Sequence, residues 1–303
     1  MPLVCEFRDL WVDNHFRAYH SRLRRRLDRA WERSLLRRAA AVVVVTPPMA
    51  EILRAAHPWL PEPRLHWIPN GFDPALLDEA EIAPASARAL AATPATVPSR
   101  PGGPRPPDGR PRLLFAGRLY ANMPSAALAA ALRRLAATGP PEAVPVARFV
   151  GWIDGPHRAV VAGLCAEGLA EVRPPCSYAE SVEEMRRADA LLVLLGSGPG
   201  MEMVMTSKIF PYLATGRPVV AAVPPDGVAA GLVREAGAGA VVPPDEPDAL
   251  AAAIRRALGG SPEHAPDALA RRREALRPYA WPVLAERLAD LLRSVSAERA
   301  GQA

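Results

Sequence analysis

The sequence predicts an α/β protein whose larger part is a doubly wound parallel sheet. Three observations carry this. Wholly apolar runs of strand length recur, such as Ala190–Leu195 and Pro218–Val223, and such runs read as strands buried on both faces. Stretches with the helical spacing of apolar residues lie between them. From residue 112 onward the two kinds alternate regularly, which predicts parallel strands joined by right-handed crossovers.

The elements follow in order. Pro2–Phe7 reads as a strand, and Arg8–Trp11 leaves its C-terminal end, where open α/β sheets place ligands. Arg8 and Asp9 are therefore candidate site residues, with a helix-capping Asp9 as the plainer alternative. Across residues 15–38, Phe16, Tyr19, Leu23, Leu27, Trp31 and Leu35 recur every three or four positions, the pattern of an amphipathic helix or helix pair. Nine arginines there face two acids, Asp28 and Glu32. Such a helix fits an anionic membrane surface, and it equally fits an ordinary packed helix with a solvated basic face. Aromatics are not interleaved as single-strand binders require, so nucleic acid is not expected as a partner.

Ala41–Thr46 reads as a buried strand. Thr46 and Pro47 form a cap and first-turn proline that open a helix near Met49–Ala56. Arg64–Ile68 is a third strand, ended by the turn Pro69-Asn70-Gly71. From Glu79 to Arg110 the periodicity dissolves into Pro-, Gly- and Ala-rich sequence, the composition of a linker. Strands then fall at 112–117, 145–151, 171–173, 190–196, 218–223 and 239–243. Helices lie near 124–137, 156–167, 178–188, 207–215, 227–236 and 247–258. Final helices near 265–277 and 281–296 carry Trp281, Leu284, Leu288 and Leu292 on one face, which needs a surface to pack on. The expected organisation is a partial first domain (1–78), a linker (79–111), a second domain (112–262) and terminal helices (263–303).

Composition narrows the function classes. A chain of 303 residues, half of them hydrophobic, suffices for two domains. The net charge of +5 favours anionic partners. Cys5, Cys165 and Cys176 are odd in number and widely spaced, which fits free thiols in a reducing cytoplasm and no metal-binding pair. No apolar run approaches the ~20 residues of a membrane span, and none has the charged start and apolar core of a signal peptide.

The most informative stretch is Met205–Pro218. It follows an apolar strand and a loop rich in turn residues, Ser197–Met203. Thr206 or Ser207 is expected to cap the next helix, and Gly216 to end it. Backbone N–H groups at a helix start beside a glycine loop suit a phosphate. Lys208 stands at that point and is the only lysine in the chain, against 36 arginines. A lone ammonium there indicates a need for a compact point charge; the alternative is a lysine left by chance on a solvated helix end. Pro211 is tolerable only in the first turn of that helix.

Several stretches resemble the GT-B glycosyltransferases, above all the retaining enzymes of family 4. They are EFRDLW (6–11), VVVVTPPMAEIL (42–53), IPNGFDP (68–74), LLFAGRLY (113–120), ADALLVLL (188–195) and SKIFPYLATGRPVVAAVP (207–224). Each is weak alone, but they stand in the family's order across nearly the whole chain outside the linker. The resemblance implies a GT-B-like fold. A C-terminal Rossmann-like doubly wound parallel sheet would face a partial N-terminal Rossmann-like domain, and the last helices would cross back to the first domain. It implies transfer of a sugar from a nucleotide-diphosphate-sugar donor to a hydroxyl of a glycan, a lipid-linked glycan or a small molecule, with retention, no cofactor and no required metal. Arg118 and Lys208 match cations that hold the donor diphosphate, and Gly117 allows close backbone approach. Gly200, Glu202, Thr206 and Ser207 belong to the loop that would position the donor.

Departures accompany the likeness. Pro211 stands where the family usually has the glutamate that binds ribose, and Met203 stands at a second glutamate position with Glu202 one residue away. Arg8-Asp9 replaces the usual His-Asp. The three strands before the linker are fewer than the family's first domain holds, so the likeness implies an internal start or a lost front. Alternatives are a nucleotide-sugar-binding protein or remnant without catalysis, a sugar-nucleotide epimerase of the same fold, and a peripheral-membrane scaffold.

Overall fold

The computed structural model describes residues 2–17, 19–77, 109–120, 123–259 and 266–300. Most of the expected linker, residues 79–108, lies outside them. The first part is a three-stranded parallel sheet in the order β1-β2-β3, with β1 at Leu3–Phe7, β2 at Ala39–Val44 and β3 at Leu65–Trp67. Helix α1 (Arg22–Arg38) connects β1 to β2, and α2 (Pro47–Ala56) connects β2 to β3. Proline in the first turn of α2 follows the expectation, although the Thr46 side chain makes no capping bond.

The second part is a six-stranded, all-parallel sheet. Its strands are β4 (Arg112–Ala116), β5 (Val146–Val150), β6 (Ala170–Arg173), β7 (Ala190–Leu194), β8 (Val219–Ala222) and β9 (Gly239–Val242). The order is β6-β5-β4-β7-β8-β9. Helices α3 (Ser125–Thr138), α4 (Gly155–Ala166), α5 (Tyr178–Arg187), α6 (Ile209–Ala214), α7 (Val228–Glu235) and α8 (Pro247–Leu258) alternate with the strands. Strands β7 and β8 are wholly buried, because apolar clusters cover both faces of the sheet. The continuous apolar runs in the sequence are the direct consequence.

After α9 (Pro266–Leu276), the chain returns to the first part. Phe72 and Ala280 form a bridge, with the Phe72 N–H donating to the Tyr279 carbonyl at 3.1 Å and the Trp281 N–H donating to the Phe72 carbonyl at 3.0 Å. A Cβ on Gly71 would stand 2.4 Å from the Tyr279 carbonyl oxygen, so only glycine fits this crossing. Helix α10 (Trp281–Ala300) then sets Leu291 and Val295 against Ala41 and Val43 of β2. The expected packing stripe is corrected here. Leu284 is buried, but Trp281, Leu288 and Leu292 are exposed, and the buried face runs through Leu284, Leu291 and Val295. None of the described helices is long and apolar enough to cross a membrane.

A second correction concerns residues 15–38. Only Arg22–Arg38 is helical, and Phe16 and Tyr19 precede it. Ser21 caps it, so Asp9 does not. The apolar stripe does not face the core: Leu23, Leu27 and Trp31 are 67%, 46% and 55% exposed. The buried positions are Asp28, Glu32 and Leu36. Asp28 accepts a hydrogen bond from the Tyr19 hydroxyl and pairs with Arg17 and Arg24. Glu32 accepts from the Val12 N–H at 3.2 Å and from Arg29 at 2.8 Å, and faces His57 Nε2 at 2.8 Å. A buried polar network takes the place of apolar packing, and it ties the loop after β1 to the helix. Hydrophobic periodicity reports only apolar contacts and therefore selected the wrong face.

Candidate functional site

In the second sheet the strand order reverses between β4 and β7. From β4 the chain moves outward to β5 and β6, and β7 then returns to pair on the other side of β4. The crevice beyond the carboxyl ends of such a strand pair is where open α/β sheets bind ligands. Here the two loops leaving it are Gly117–Tyr120 and Ser197–Lys208.

The end of β4 is held tightly. The Ala116 N–H donates to the hydroxyl oxygen of Tyr212 at 2.7 Å, and burial raises the Tyr212 pKa. Gly117 turns with φ 116°, a region that favours glycine. Gly151, at the end of β5, approaches so closely that a Cβ there would lie 2.3 Å from the Gly117 carbonyl oxygen. Arg118 emerges exposed, and its Nε donates to Asp154 at 2.8 Å.

Beyond β7, Gly198 and Gly200 take positive φ, and a short 3-10 turn covers Met201–Met203. The expected cap is corrected. Helix α6 starts at Ile209, with Lys208 as its N-cap residue and no capping side chain from Thr206 or Ser207. At six residues it is also shorter than expected, so any charge effect at its start comes from the ammonium. Pro211 sits in the first turn, as its missing N–H requires.

Lys208 is not a solvated helix end. Part of its stem reaches the cleft, but Nζ is shielded from solvent and has no hydrogen-bond partner among the described residues. It rests 3.8 Å from the Phe115 ring centroid, and a Cβ on Gly117 would touch it at 3.4 Å. Burial lowers its pKa from 10.5 to about 7. A buried cation site without an anion is an arrangement that a bound anion completes.

Lys208, Gly117, Arg118, Thr206, Ser207 and Pro211 line one cleft of about 490 Å³ together with Tyr178 and Trp281. A second cavity of about 550 Å³ adjoins it through Tyr120, Thr206 and Ser207. Arg8, Asp9 and Asn70 bring the first sheet into that second cavity. Arg8 donates to Asn70 at 3.1 Å and pairs with Glu6. The structure thus gathers Gly117, Arg118, Thr206, Ser207 and Lys208 at one cleft and places Arg8 and Asp9 next door. Glu202 is exposed, and its neighbours Met203, Val204 and Met205 form the wall. Gly200 lies beside His15. Sequence reasoning missed His15, Tyr120 and Tyr178, which belong to no periodic pattern and sit on loops or helix starts.

The profile of Glycosyltransferase Family 4 matches residues 1–76, and that of Glycosyl transferases group 1 matches residues 110–259. Comparison with curated proteins finds no match. Among solved structures, Anabaena HepE in complex with UDP-glucose is 18% identical with a TM-score of 0.68, covering 97% of this chain and 72% of that one. A glycosyltransferase from Rickettsia africae is 14% identical with a TM-score of 0.66, covering 96% of this chain and 70% of that one. Sucrose-phosphate synthase from Thermosynechococcus elongatus is 21% identical with a TM-score of 0.61, covering 97% and 68%.

Proposed function

The chain belongs to the family 4-like glycosyltransferases of the GT-B fold, and on that premise we propose that its switch-point cleft binds the diphosphate of a nucleotide-sugar donor on Lys208 and Arg118. The observation that carries this is the shielded ammonium of Lys208 between the ends of β4 and β7, which has no hydrogen-bond partner among the described residues. As the glycosidic bond breaks, negative charge collects on the departing diphosphate. A cation already held in place stabilises that charge without reorganisation. Arg118 adds a second, solvent-facing cation at the cleft mouth. The sugar then extends toward the cavity that holds Asp9 and Arg8, where a hydroxyl acceptor approaches from the first sheet. In this reading transfer proceeds with retention, these two cations supply the neutralisation that a metal gives elsewhere, and the protein works in the cytoplasm.

The test is calorimetric binding of UDP, GDP, ADP and dTDP, followed by release of the bound nucleotide from its sugar conjugates. Binding of at least one nucleoside diphosphate and slow release from its sugar are expected. Binding without release supports the alternative of a non-catalytic sugar-nucleotide binder, which Pro211 in the cleft wall favours. Binding of none contradicts the donor site.

The exposed face of α1 favours one addition to this reading. Leu23, Leu27 and Trp31 form an outward apolar stripe, and Arg22, Arg26, Arg33 and Arg37 lie along the helix beside it. This is the layout of a helix that lies on an anionic membrane, where each arginine contributes about 1 kcal/mol. Arg24, Arg25 and Arg37 are engaged with Asp28, Asp13 and the Trp59 ring, so the informative variant replaces Arg22, Arg26 and Arg33 with glutamine. Loss of salt-sensitive binding to anionic liposomes is expected, with unfolding unchanged. Equal binding to neutral and anionic liposomes contradicts the electrostatic account.

A further inference from the structure

His15 occupies the turn between β1 and α1 and lines the cavity of Asp9 and Arg8. Both of its ring nitrogens are shielded from solvent, and neither has a hydrogen-bond partner among the described residues. The ring is held between Phe16 and the Gly200 loop. Phe16 lies against it with centroids 3.9 Å apart, and Phe16 in turn meets Tyr120 of the other part at 5.8 Å. Gly200, in the left-handed region at φ 85°, passes so near that a Cβ there would stand 2.8 Å from the His15 Cβ. The glycine loop after β7 and the turn after β1 therefore close on each other at this residue. A fixed polar ring with two idle nitrogens is costly unless something satisfies it.

Its electrostatic surroundings say what that something is. Asp9 and Glu202 both act on the ring as negative charges, yet burial outweighs them and lowers its pKa below 6.5. The ring is thus neutral, with one donor and one acceptor nitrogen. Two carboxylates nearby disfavour an anion, and the adjoining cleft already offers Lys208 and Arg118 for phosphates. No group of three His, Cys, Asp or Glu among the described residues is placed to hold a metal ion. A sugar hydroxyl, which both donates and accepts, matches the ring.

We propose that His15 hydrogen-bonds a hydroxyl of the transferred sugar and so selects the donor by its sugar instead of its nucleotide. The inference rests on the donor-site reading of the Lys208 cleft. Asp9 lines the same cavity and Glu202 lies near enough to act on the ring as a charge, while Gly200 keeps the loop close to the ring.

The test separates sugar from nucleotide. The full chain, labelled with nitrogen-15 histidine, is titrated with UDP, GDP and ADP and with UDP-glucose, GDP-mannose and ADP-glucose; it holds six histidines, and His15→Gln identifies the His15 ring signals. The nucleoside diphosphate that binds is expected to leave those signals in place, and its sugar conjugate to move them. In calorimetry, His15→Ala is expected to weaken the sugar conjugate about tenfold, the effect of losing one or two hydrogen bonds. Affinity for the nucleoside diphosphate stays at the wild-type value, and His15→Gln restores part of the loss. An equal loss for both ligands makes His15 structural and overturns the proposal, as does wild-type behaviour toward both or an unmoved ring signal with every bound sugar conjugate. If wild type binds no nucleoside diphosphate, the donor-site reading fails first and this proposal falls with it.

Discussion

Lys208→Ala is expected to lower affinity for nucleoside diphosphates ten- to a hundredfold. A charge-assisted hydrogen bond contributes about 1.5–3 kcal/mol, and each 1.4 kcal/mol is about tenfold in affinity. An exposed cation would contribute much less, but Nζ here is sealed from water. Lys208→Arg should restore only part of the loss, because a planar guanidinium does not fit the place of a compact ammonium against Phe115. The depressed pKa adds a pH signature. With the free amine titrating at about 7, binding above that pH must take up a proton. Affinity should therefore fall as pH rises above 7, by up to about tenfold per unit, and this slope should vanish in Lys208→Met. Stability of the unliganded chain runs the other way. Between about 7 and 10.5 the unfolded chain holds a proton that the folded chain lacks, so this group's contribution to stability rises with pH in that window. Unchanged affinity in Lys208→Ala, measured by calorimetry, would return Lys208 to a structural role.

Glu32→Ala should lower stability by about 3–5 kcal/mol, the cost of removing one member of a buried charge network. Glu32 is 1% exposed and has three partners, the Val12 N–H, Arg29 and His57. Truncation leaves His57 Nε2 facing nothing and frees Val12, while Asp13 keeps hold of Arg29 through two contacts at 2.6 Å. Glu32→Gln preserves an acceptor for Val12 and should lose less. The effect should extend to the site, because Arg8 and Asp9 lie on the loop that Val12 anchors. Denaturant unfolding followed by tryptophan fluorescence reads the first effect. A change below about 1 kcal/mol, the range of exposed pairs, would show that the network is dispensable.

Which features were legible in the sequence follows from what each signal measures. Strands β7 and β8 were legible because a strand buried on both faces is apolar throughout, whereas β5 carries the buried Arg148, paired with Glu171 and Glu184, inside its apolar run. The crevice between β4 and β7 was half legible. Lys208 stood out by composition and Arg118 by its motif, but the strand order that brings their loops together depends on pairing across the chain. Helix α1 was expected to start about seven residues too early and with the wrong face inward, because Asp28 and Glu32 are buried by ion pairs that hydrophobic periodicity does not register. Helix α10 repeated the error in milder form through Trp281, Leu288 and Leu292. His15 gave no sequence signal, since its environment is made by Gly200 and Phe16 only once the two parts meet.

The uniqueness of Lys208 also supplies the most direct test of the donor site. Protein labelled with carbon-13 at lysine Cε carries a single labelled side chain, whose chemical shift reports its protonation. The account predicts one resonance that titrates near 7 in the free chain and whose midpoint rises when a nucleoside diphosphate saturates the cleft. A midpoint at the ordinary 10.5, unmoved by any nucleoside diphosphate, would contradict it.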